Sequence, residues 1–176
     1  MPGKNLSNEG PINGNWMLDA RCSMLVAEEN RVSSIEYRVS SIENMEIIAH
    51  GIDLVDCPRI EKMIKQHGER FINRVFTAAE QNYAEGKKDR IEKLAGRFAA
   101  KEAVLKLMGT GWRGKIAWTD IEILNNAAGQ PEVTLSGEVE KLAEKLGINH
   151  ISVSITHTAN FVIASAIALA QSDEEK

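Results

Sequence analysis

The sequence predicts an α+β fold in which an antiparallel sheet packs against a long central helix. The stretch from Leu94 to Gly111 is apolar nearly all round, which is typical of a helix buried among other elements. One apolar strand precedes it, and two pairs of strand-like runs follow it at 120–135 and 150–168. Strands and helices grouped in this order favour an α+β architecture.

Local signals mark both ends of the central helix. Asp89 is expected to cap its start, and Glu92, three residues later, would complete a reciprocal capping box. Gly109 and Gly111 are expected to end it, because glycine readily adopts the backbone conformation that closes a helix.

Four charged side chains interrupt this apolar helix, namely Arg97, Lys101, Glu102 and Lys106. Two interpretations are open. Glu102 and Lys106 have the spacing of an i,i+4 ion pair, while Arg97 and Lys101 could extend their long side chains to solvent. Alternatively, the charges lie at buried positions, where they need partners or a ligand.

Composition excludes several classes of protein. A chain of 176 residues suits one domain, and its net charge of -4 argues against general binding to nucleic acid. No apolar run approaches the roughly 18 residues of a membrane span, and the start lacks a secretory signal pattern. Cys22 and Cys57 form no Cys-x-x-Cys pair, which argues against a disulfide framework or zinc site and fits a cytoplasmic protein.

Residues 1–44 differ from the rest of the chain. Their start is rich in turn-forming residues, and the hexapeptide Arg-Val-Ser-Ser-Ile-Glu occurs twice, at 31–36 and 38–43. Two heptads are too few to indicate a coiled coil. We expect a leader over 1–44 that is poorly ordered or marginally helical, a functional domain over 45–170 and a charged tail over 171–176.

The domain opens with a strand over 47–55, in which Gly51 indicates a bulge or a close approach of another backbone. Asp56 is expected to cap the next helix, since Pro58 suits its first turn, and Gly68 is expected to end that helix.

Three further elements complete the predicted order. A capping box at Thr77 and Glu80 opens a short helix that Gly86 ends. The later elements are a hairpin of strands 120–124 and 131–135, an amphipathic helix ending at Gly147, and a second hairpin of strands 150–156 and 161–168.

Three separated motifs resemble one known family. They are Gly-Ile-Asp-Leu-Val-Asp at 51–56, Gly-Arg-Phe-Ala-Ala-Lys-Glu-Ala at 96–103 with Gly-Thr-Gly at 109–111, and Ser-Val-Ser-Ile-Thr-His at 152–157. In this order they are similar to the small phosphopantetheinyl transferases of the holo-[acyl-carrier-protein] synthase type. The resemblance covers about 47–168. Gly-Gln-Pro at 129–131 also resembles the family's Gly-Lys-Pro turn, with Gln130 in place of lysine.

The resemblance implies an enzyme that moves 4′-phosphopantetheine from coenzyme A to a serine of apo acyl carrier protein. Adenosine 3′,5′-bisphosphate would be released, and the reaction would support fatty acid biosynthesis. Two alternatives remain open: a transferase for the carrier domains of secondary metabolism, and a module that binds carrier protein without catalysis.

The same resemblance implies the site. Taken alone, Asp53 could be a turn residue and His157 a surface histidine; within the motifs, Asp53 and Glu102 are the expected ligands of Mg²⁺. Mg²⁺ prefers oxygen ligands and needs only one or two carboxylates beside substrate phosphates. The residues expected to bind coenzyme A are Arg97, Lys101, Lys106, Gly109, Gly111, Pro131 and His157.

The group that deprotonates the serine is left open among Glu102, an activated metal water and a neutral Lys101. We favour metal water assisted by Glu102, with Asp53, Glu102 and Lys101 as the catalytic set. For carrier docking, the resemblance points to Arg59, Met63 and Arg70 on the first helix, and it implies a homotrimer whose sites lie between neighbouring subunits.

Overall fold

A computed structural model describes residues 45–172 and confirms the predicted α+β architecture. A short 3-10 turn, Trp118–Asp120, precedes the second strand. The elements in chain order are β1 (Met45–Asp56), α1 (Cys57–Val75), α2 (Ala78–Ala84), α3 (Arg90–Leu107), β2 (Ile121–Asn125), β3 (Pro131–Leu135), α4 (Gly137–Lys145), β4 (His150–His157) and β5 (Phe161–Gln171).

The sheet is antiparallel, with strand order β1-β5-β4, and it packs on α3 as predicted. Strands β2 and β3 form a separate two-stranded hairpin. The core lies between the three-stranded sheet and α3. Fully buried members include Leu94, Ala99 and Ala103 of α3 and Ala164 and Ala166 of β5. Small side chains on both surfaces allow the helix to lie close to the sheet.

The start of α3 differs from the prediction. Asp89 occupies the N-cap position, but its side chain makes no capping hydrogen bond. Its carboxylate pairs instead with Lys93 at 2.9 Å, and Glu92 contacts His157 of β4. The predicted capping box is therefore wrong: the Asp89 carboxylate pairs with Lys93, and the Glu92 carboxylate contacts the His157 ring. Gly109 and Gly111 follow the helix with positive φ angles of 68° and 58°, as expected for residues that close it.

Helix α1 is longer than the sequence indicated. Its backbone is interrupted at Gly68 (φ 55°), where the prediction placed the end, but helical structure resumes and continues to Val75. Asp56 is the N-cap residue without a side-chain capping bond. At α2, by contrast, the predicted capping box between Thr77 and Glu80 is present in full.

One face of the sheet is covered by α3, and the other exposes apolar side chains. Ile52 and Leu54 of β1 are 54% and 58% exposed, and Phe161 and Ile163 of β5 are 46% and 37% exposed. Leu54 lies directly opposite Ile163, so the two share this face. We call these four residues the outer sheet face.

The predicted leader over 1–44 and most of the predicted tail lie outside the described residues. Within 45–172, no helix has the length and apolar character needed to cross a membrane.

Candidate active site

The sequence-predicted site residues fall into two groups in the structure. The first, which we call the carboxylate group, consists of Asp53, Glu102 and Lys106. Residues 51, 53 and 55 of β1 face α3, because side chains alternate along a strand and Val55 is buried there. Lys106 reaches back from the end of α3, and its Nζ donates to Asp53 Oδ1 at 2.7 Å and to the Ile52 carbonyl at 3.0 Å.

Of the two predicted metal ligands, Asp53 acts through its charge on Glu102. Burial raises the pKa of Glu102, and the charge of Asp53 raises it further, whereas Lys106 and Arg59 act in the opposite direction. Two carboxylates in one site repel each other unless a cation lies between or beside them. Asp53 and Glu102, 49 positions apart in the sequence, thus share one electrostatic environment.

This environment suits Mg²⁺ better than a metal that requires a full cage of protein ligands. Among residues 45–172, no group of three or more His, Cys, Asp or Glu side chains could hold a metal ion. Two carboxylates suffice for Mg²⁺, because it retains waters and takes phosphate oxygens from a substrate. The donor set therefore fits the ion that the resemblance implies.

Lys101 does not belong to this group. Its side chain is fully buried and its Nζ donates to the Val75 carbonyl at 2.8 Å, the Trp118 carbonyl at 3.0 Å and Glu80 Oε2 at 2.7 Å. An ammonium has three donors, and all three are engaged inside the protein. The structure does not place Lys101 where it could bind coenzyme A or take a proton from substrate, and its buried Nζ also excludes the solvent-reaching alternative.

Glu80, the partner of Lys101, links several elements of the fold in a way that the sequence did not predict. Glu80 is fully buried, and its carboxylate also accepts from the backbone amides of Thr77 at 2.8 Å and Ile123 at 2.9 Å. It thereby ties α2, β2 and α3 together. The capping box signalled its bond to Thr77, but no sequence pattern signals the other two bonds.

The second group, which we call the arginine pocket, contains Arg97 and His157 in a cavity of about 140 Å³. Arg97 is buried, and its Nη2 donates to Asn125 Oδ1 at 2.6 Å. Burial lowers the pKa of Arg97, and its guanidinium lies 4.1 Å from the centre of the Tyr83 ring. Pro131, which the resemblance predicts to bind coenzyme A, also lines this cavity.

Arg97 and His157 differ in their exposure and in their hydrogen bonding. Within residues 45–172, the buried Arg97 Nε has no hydrogen-bond partner, which is costly unless something else accepts from it. His157 is about half exposed at the pocket and contacts Glu92 through Nδ1 at 3.2 Å. Tyr83 and Asn125 were not predicted as site residues, because their contacts with Arg97 bring together distant parts of the chain.

The two groups lie on different sides of α3. Arg97 and Lys106 are nine residues apart, which corresponds to about 13.5 Å along a helix and roughly half a turn around it. Gly109 and Gly111 follow the carboxylate group, and a side chain added at either would meet no atom within 4 Å. Their backbone is thus open to close approach by a ligand.

The predicted carrier-docking residues lie on α1. Arg59 and Arg70 are exposed and Met63 is half-buried. The charge of Arg59 acts to lower the pKa of Glu102, against the larger effects of burial and Asp53.

Comparison with known proteins identifies the arrangement. Residues 49–166 match the model of the 4′-phosphopantetheinyl transferase superfamily. The holo-[acyl-carrier-protein] synthase of Solibacter usitatus (strain Ellin6076) is 44% identical over 121 residues, which cover 69% of this chain and 97% of the relative.

Solved structures agree with this match. The holo-[acyl-carrier-protein] synthase of Neisseria meningitidis has a TM-score of 0.65 at 34% identity, covering 70% of this chain and 98% of that one. The Helicobacter pylori enzyme, solved in complex with coenzyme A, has a TM-score of 0.59 at 33% identity, covering 68% and 98%. The chain therefore belongs to the holo-[acyl-carrier-protein] synthases of the 4′-phosphopantetheinyl transferase superfamily.

Proposed function

We propose that this chain transfers 4′-phosphopantetheine from coenzyme A to a serine of apo acyl carrier protein, with release of adenosine 3′,5′-bisphosphate. The observation that carries this is the meeting of Asp53 and Glu102 beside Lys106, in a chain of this family. A relative at 33% identity was solved with coenzyme A bound, which supports coenzyme A as the donor here. Fatty acid biosynthesis is the process that this activity serves.

Transfer of a phosphoryl-type group depends mainly on positioning and charge stabilisation. Asp53 and Glu102 would hold Mg²⁺, which when bound neutralises charge that builds on the diphosphate of the leaving group. Lys106 supplies a second positive charge beside the same carboxylates, and a lysine ammonium binds phosphate as a point charge. Asp53 holds Lys106 in this position before the substrate arrives.

Of the residues considered for the base, Glu102 is the one with support from the site. The Nζ of Lys101 is occupied by three acceptors and is sealed from solvent. The Glu102 carboxylate is half-buried at the site, where a carboxylate oxygen can accept a proton from a substrate hydroxyl. We assign the serine proton to a Glu102 carboxylate oxygen.

The arginine pocket would hold another part of coenzyme A. Arg97 and His157 line this pocket and offer nitrogen donors for a phosphate. Pro131 forms part of the wall. Coenzyme A carries a phosphate on its ribose besides the diphosphate, so two separated anion sites match its chemistry.

The position of the two groups on α3 supports a site shared between protomers. Since Arg97 and Lys106 point to nearly opposite sides of one helix, one coenzyme A would contact the carboxylate group of one protomer and the arginine pocket of its neighbour. The outer sheet face, with four large apolar side chains exposed, supplies an apolar surface for such an assembly. We infer a homotrimer, as the family resemblance implies.

The carrier protein would dock on α1. This helix carries two exposed arginines, Arg59 and Arg70, and the half-buried Met63. The charge of Arg59 acts to lower the pKa of Glu102. Positive charge on this surface would steer an acidic carrier and set the salt dependence of association. A reducing compartment such as the cytoplasm suits the chain, whose Cys57 is a free, buried thiol.

A mass measurement tests the proposal directly. The full chain is incubated with an apo acyl carrier protein, coenzyme A and Mg²⁺, and the carrier is weighed by mass spectrometry. A gain of one phosphopantetheine group, abolished by mutation of the carrier serine to alanine, is the expected result. Binding of carrier without any mass gain would show a non-catalytic module instead. Fatty-acid and secondary-metabolism carriers, compared in parallel, decide which class is preferred.

A further inference from the structure

The histidine of the arginine pocket contacts a carboxylate that has no role in the proposed function. Glu92 Oε2 lies 3.2 Å from His157 Nδ1, and the Glu92 side chain is 24% exposed. Both residues line the cavity that contains Arg97. A carboxylate beside a site for phosphate is unexpected, because two negative charges repel each other.

Packing of α3 on the sheet determines where Glu92 lies. Gly96 is four residues after Glu92 and is therefore on the same side of the helix. A Cβ atom at Gly96 would lie 3.5 Å from Ile155 and 3.8 Å from Val162, so this side of α3 faces β4 and β5. His157 pairs with Val162 at the end of β4. The contact between Glu92 and His157 thus joins a helix and a strand that are already packed together.

Two carboxylates near the start of α3 differ in their partners. Asp89 pairs with the neighbouring Lys93 at 2.9 Å, whereas Glu92 contacts His157. The Asp89 side chain is 43% exposed and does not line the cavity. Asp89 therefore offers a matched comparison, a carboxylate at the same end of α3 without the contact to histidine.

Glu92 is the one carboxylate among the described residues that line this cavity. The other ionisable side chains there are Lys93 and Arg97 of α3 and Tyr83 of α2. The lining residues from β2, β5 and the turn between β2 and β3 carry no ionisable group. Any positive charge on the His157 ring is therefore offset within the cavity by Glu92.

The contact determines which ring nitrogen of His157 is available to a ligand, because the hydrogen bond made by one nitrogen sets the role of the other. When Nδ1–H donates to Glu92, Nε2 is the nitrogen left for a ligand. A phosphate oxygen without a proton can only accept, so Nε2 must carry a proton to bind it. The ring then has protons on both nitrogens and is a cation.

We propose that Glu92 is a positioning residue for coenzyme A: it orients the His157 ring through Nδ1 and stabilises its cationic form, so that Nε2 donates to the ribose phosphate. This rests on the proposed function and adds to it a residue that touches no substrate. A neutral ring would take up one proton when the phosphate binds. Dephospho-coenzyme A, which lacks that phosphate, would bind without help from Glu92.

Calorimetric titration of the full chain with coenzyme A and with dephospho-coenzyme A, in Mg²⁺, tests the proposal. For Glu92→Gln we expect the Kd for coenzyme A to rise about tenfold, the effect of one lost charge-assisted hydrogen bond. The Kd for dephospho-coenzyme A should not change. The sign of the effect is informative, because a carboxylate that acted only by repelling phosphate would lower this Kd when removed.

A double variant shows whether Glu92 acts through His157. His157→Ala should raise the Kd for coenzyme A, and adding Glu92→Gln to it should cause no further rise, because the two side chains form one unit. At saturating coenzyme A, the kcat of Glu92→Gln should equal that of the wild-type chain. Asp89→Asn is the matched control and should leave both Kd values unchanged.

The pH profile distinguishes positioning from a loss of packing. In the wild-type chain the Kd for coenzyme A should rise as pH rises through neutrality, because the ring loses the proton that Nε2 needs. In Glu92→Gln this rise should begin at a lower pH, since an amide oxygen can still accept from Nδ1–H but carries no charge to stabilise the cation.

Three results would overturn the proposal. The first is a Kd for coenzyme A that Glu92→Gln lowers or leaves unchanged. The second is an equal rise in Kd for both ligands, and the third is the same rise in Asp89→Asn. Failure of the proposed function is distinct, since the wild-type chain would then modify no carrier at all.

Discussion

Gly51 of β1 lies directly against Ala103 of α3, so that a Cβ atom at Gly51 would overlap the Ala103 carbonyl oxygen and fall 2.7 Å from the Leu107 amide nitrogen. These neighbours are backbone atoms of a buried helix and cannot rotate away. The absence of a side chain at Gly51 therefore sets the distance between β1, which carries Asp53, and α3, which carries Glu102.

Replacement of Gly51 by alanine should force the strand away from the helix. We expect a loss of about 1–3 kcal/mol in the free energy of unfolding, typical of overpacking, and weaker Mg²⁺-dependent transfer because the carboxylates separate. Gly96→Ala is the matched control in α3, where an added Cβ would make ordinary van der Waals contact with Ile155 at 3.5 Å and Val162 at 3.8 Å. It should leave stability equal or raise it by up to about 1 kcal/mol through helix propensity. Denaturant titration measures both, and equal stability for the two variants would contradict this account.

Neutralising either carboxylate should stop catalysis without unfolding the chain. Asp53→Asn and Glu102→Gln keep the side-chain shapes but remove the charges proposed to hold Mg²⁺, and we expect transfer to fall by about 10²-fold or more. Glu140→Gln, an exposed position on α4, is the control and should retain full activity. Carrier mass gain over time measures the rate. Normal turnover in one of the two site variants would remove that residue from the site.

The pH dependence of stability should report the raised pKa of Glu102. Since burial and Asp53 make the folded protein hold this proton to a higher pH than the unfolded chain does, folding takes up a proton between the two pKa values. Without metal, the free energy of unfolding should thus fall as pH rises from the ordinary glutamate pKa through the raised one. Urea titrations in chelator, compared with Glu102→Gln, measure this contribution. An identical pH profile in the variant would argue against it.

Lys101 should prove to be a structural residue. Lys101→Met leaves the Glu80 carboxylate buried without its cation, and breaking a buried pair in this way costs about 3–5 kcal/mol. Adding Glu80→Gln should recover part of the loss, because it removes the unpaired buried charge, and its single amide oxygen can still accept from one of the two backbone amides, that of Thr77 or that of Ile123. Thermal unfolding of both variants checks whether the double variant is more stable than Lys101→Met alone. A Lys101→Met protein of normal stability but no activity would instead restore Lys101 to the catalytic set.

A charge on the outer sheet face should break the assembly. Ile52→Glu places a carboxylate among apolar neighbours that we propose to be buried between protomers, where an unpaired charge is strongly unfavourable. We expect a smaller particle by light scattering and little transfer activity, since the arginine pocket of a neighbour is then missing. Leu146→Glu, an exposed apolar position outside the sheet, should remain assembled and active. A fully active Ile52→Glu monomer would exclude a shared site.

Much of the fold could be predicted because its signals are local. The two hairpins, the capping box at Thr77 and the closing glycines all depend on residues within a few positions of one another. The resumption of α1 after Gly68 could not be predicted in the same way. A short helical segment is marginal alone, and this one is stabilised by burial of Ile72 and Val75 against other elements.

The site, like the fold, could be predicted from the sequence only in part. The expected role of Asp53 and Glu102 came from a family resemblance, and their spacing in the sequence did not indicate that they meet. Glu80 was predicted only as a cap, yet its carboxylate also binds Lys101 and the amide of Ile123. Tyr83 was missed altogether. Such contacts are determined by tertiary packing, which brings together residues that are distant in the chain.

The placement of Arg97 and Lys106 on opposing sides of α3 has a genetic consequence. If every active site combines the carboxylate group of one protomer with the arginine pocket of its neighbour, a mixture of two inactive chains can be active. A Glu102→Gln chain still offers an intact arginine pocket, and an Arg97→Ala chain still offers an intact carboxylate group. Co-expressed in one cell, the two defective alleles would complement each other. Some subunit interfaces would then combine an intact carboxylate group with an intact arginine pocket.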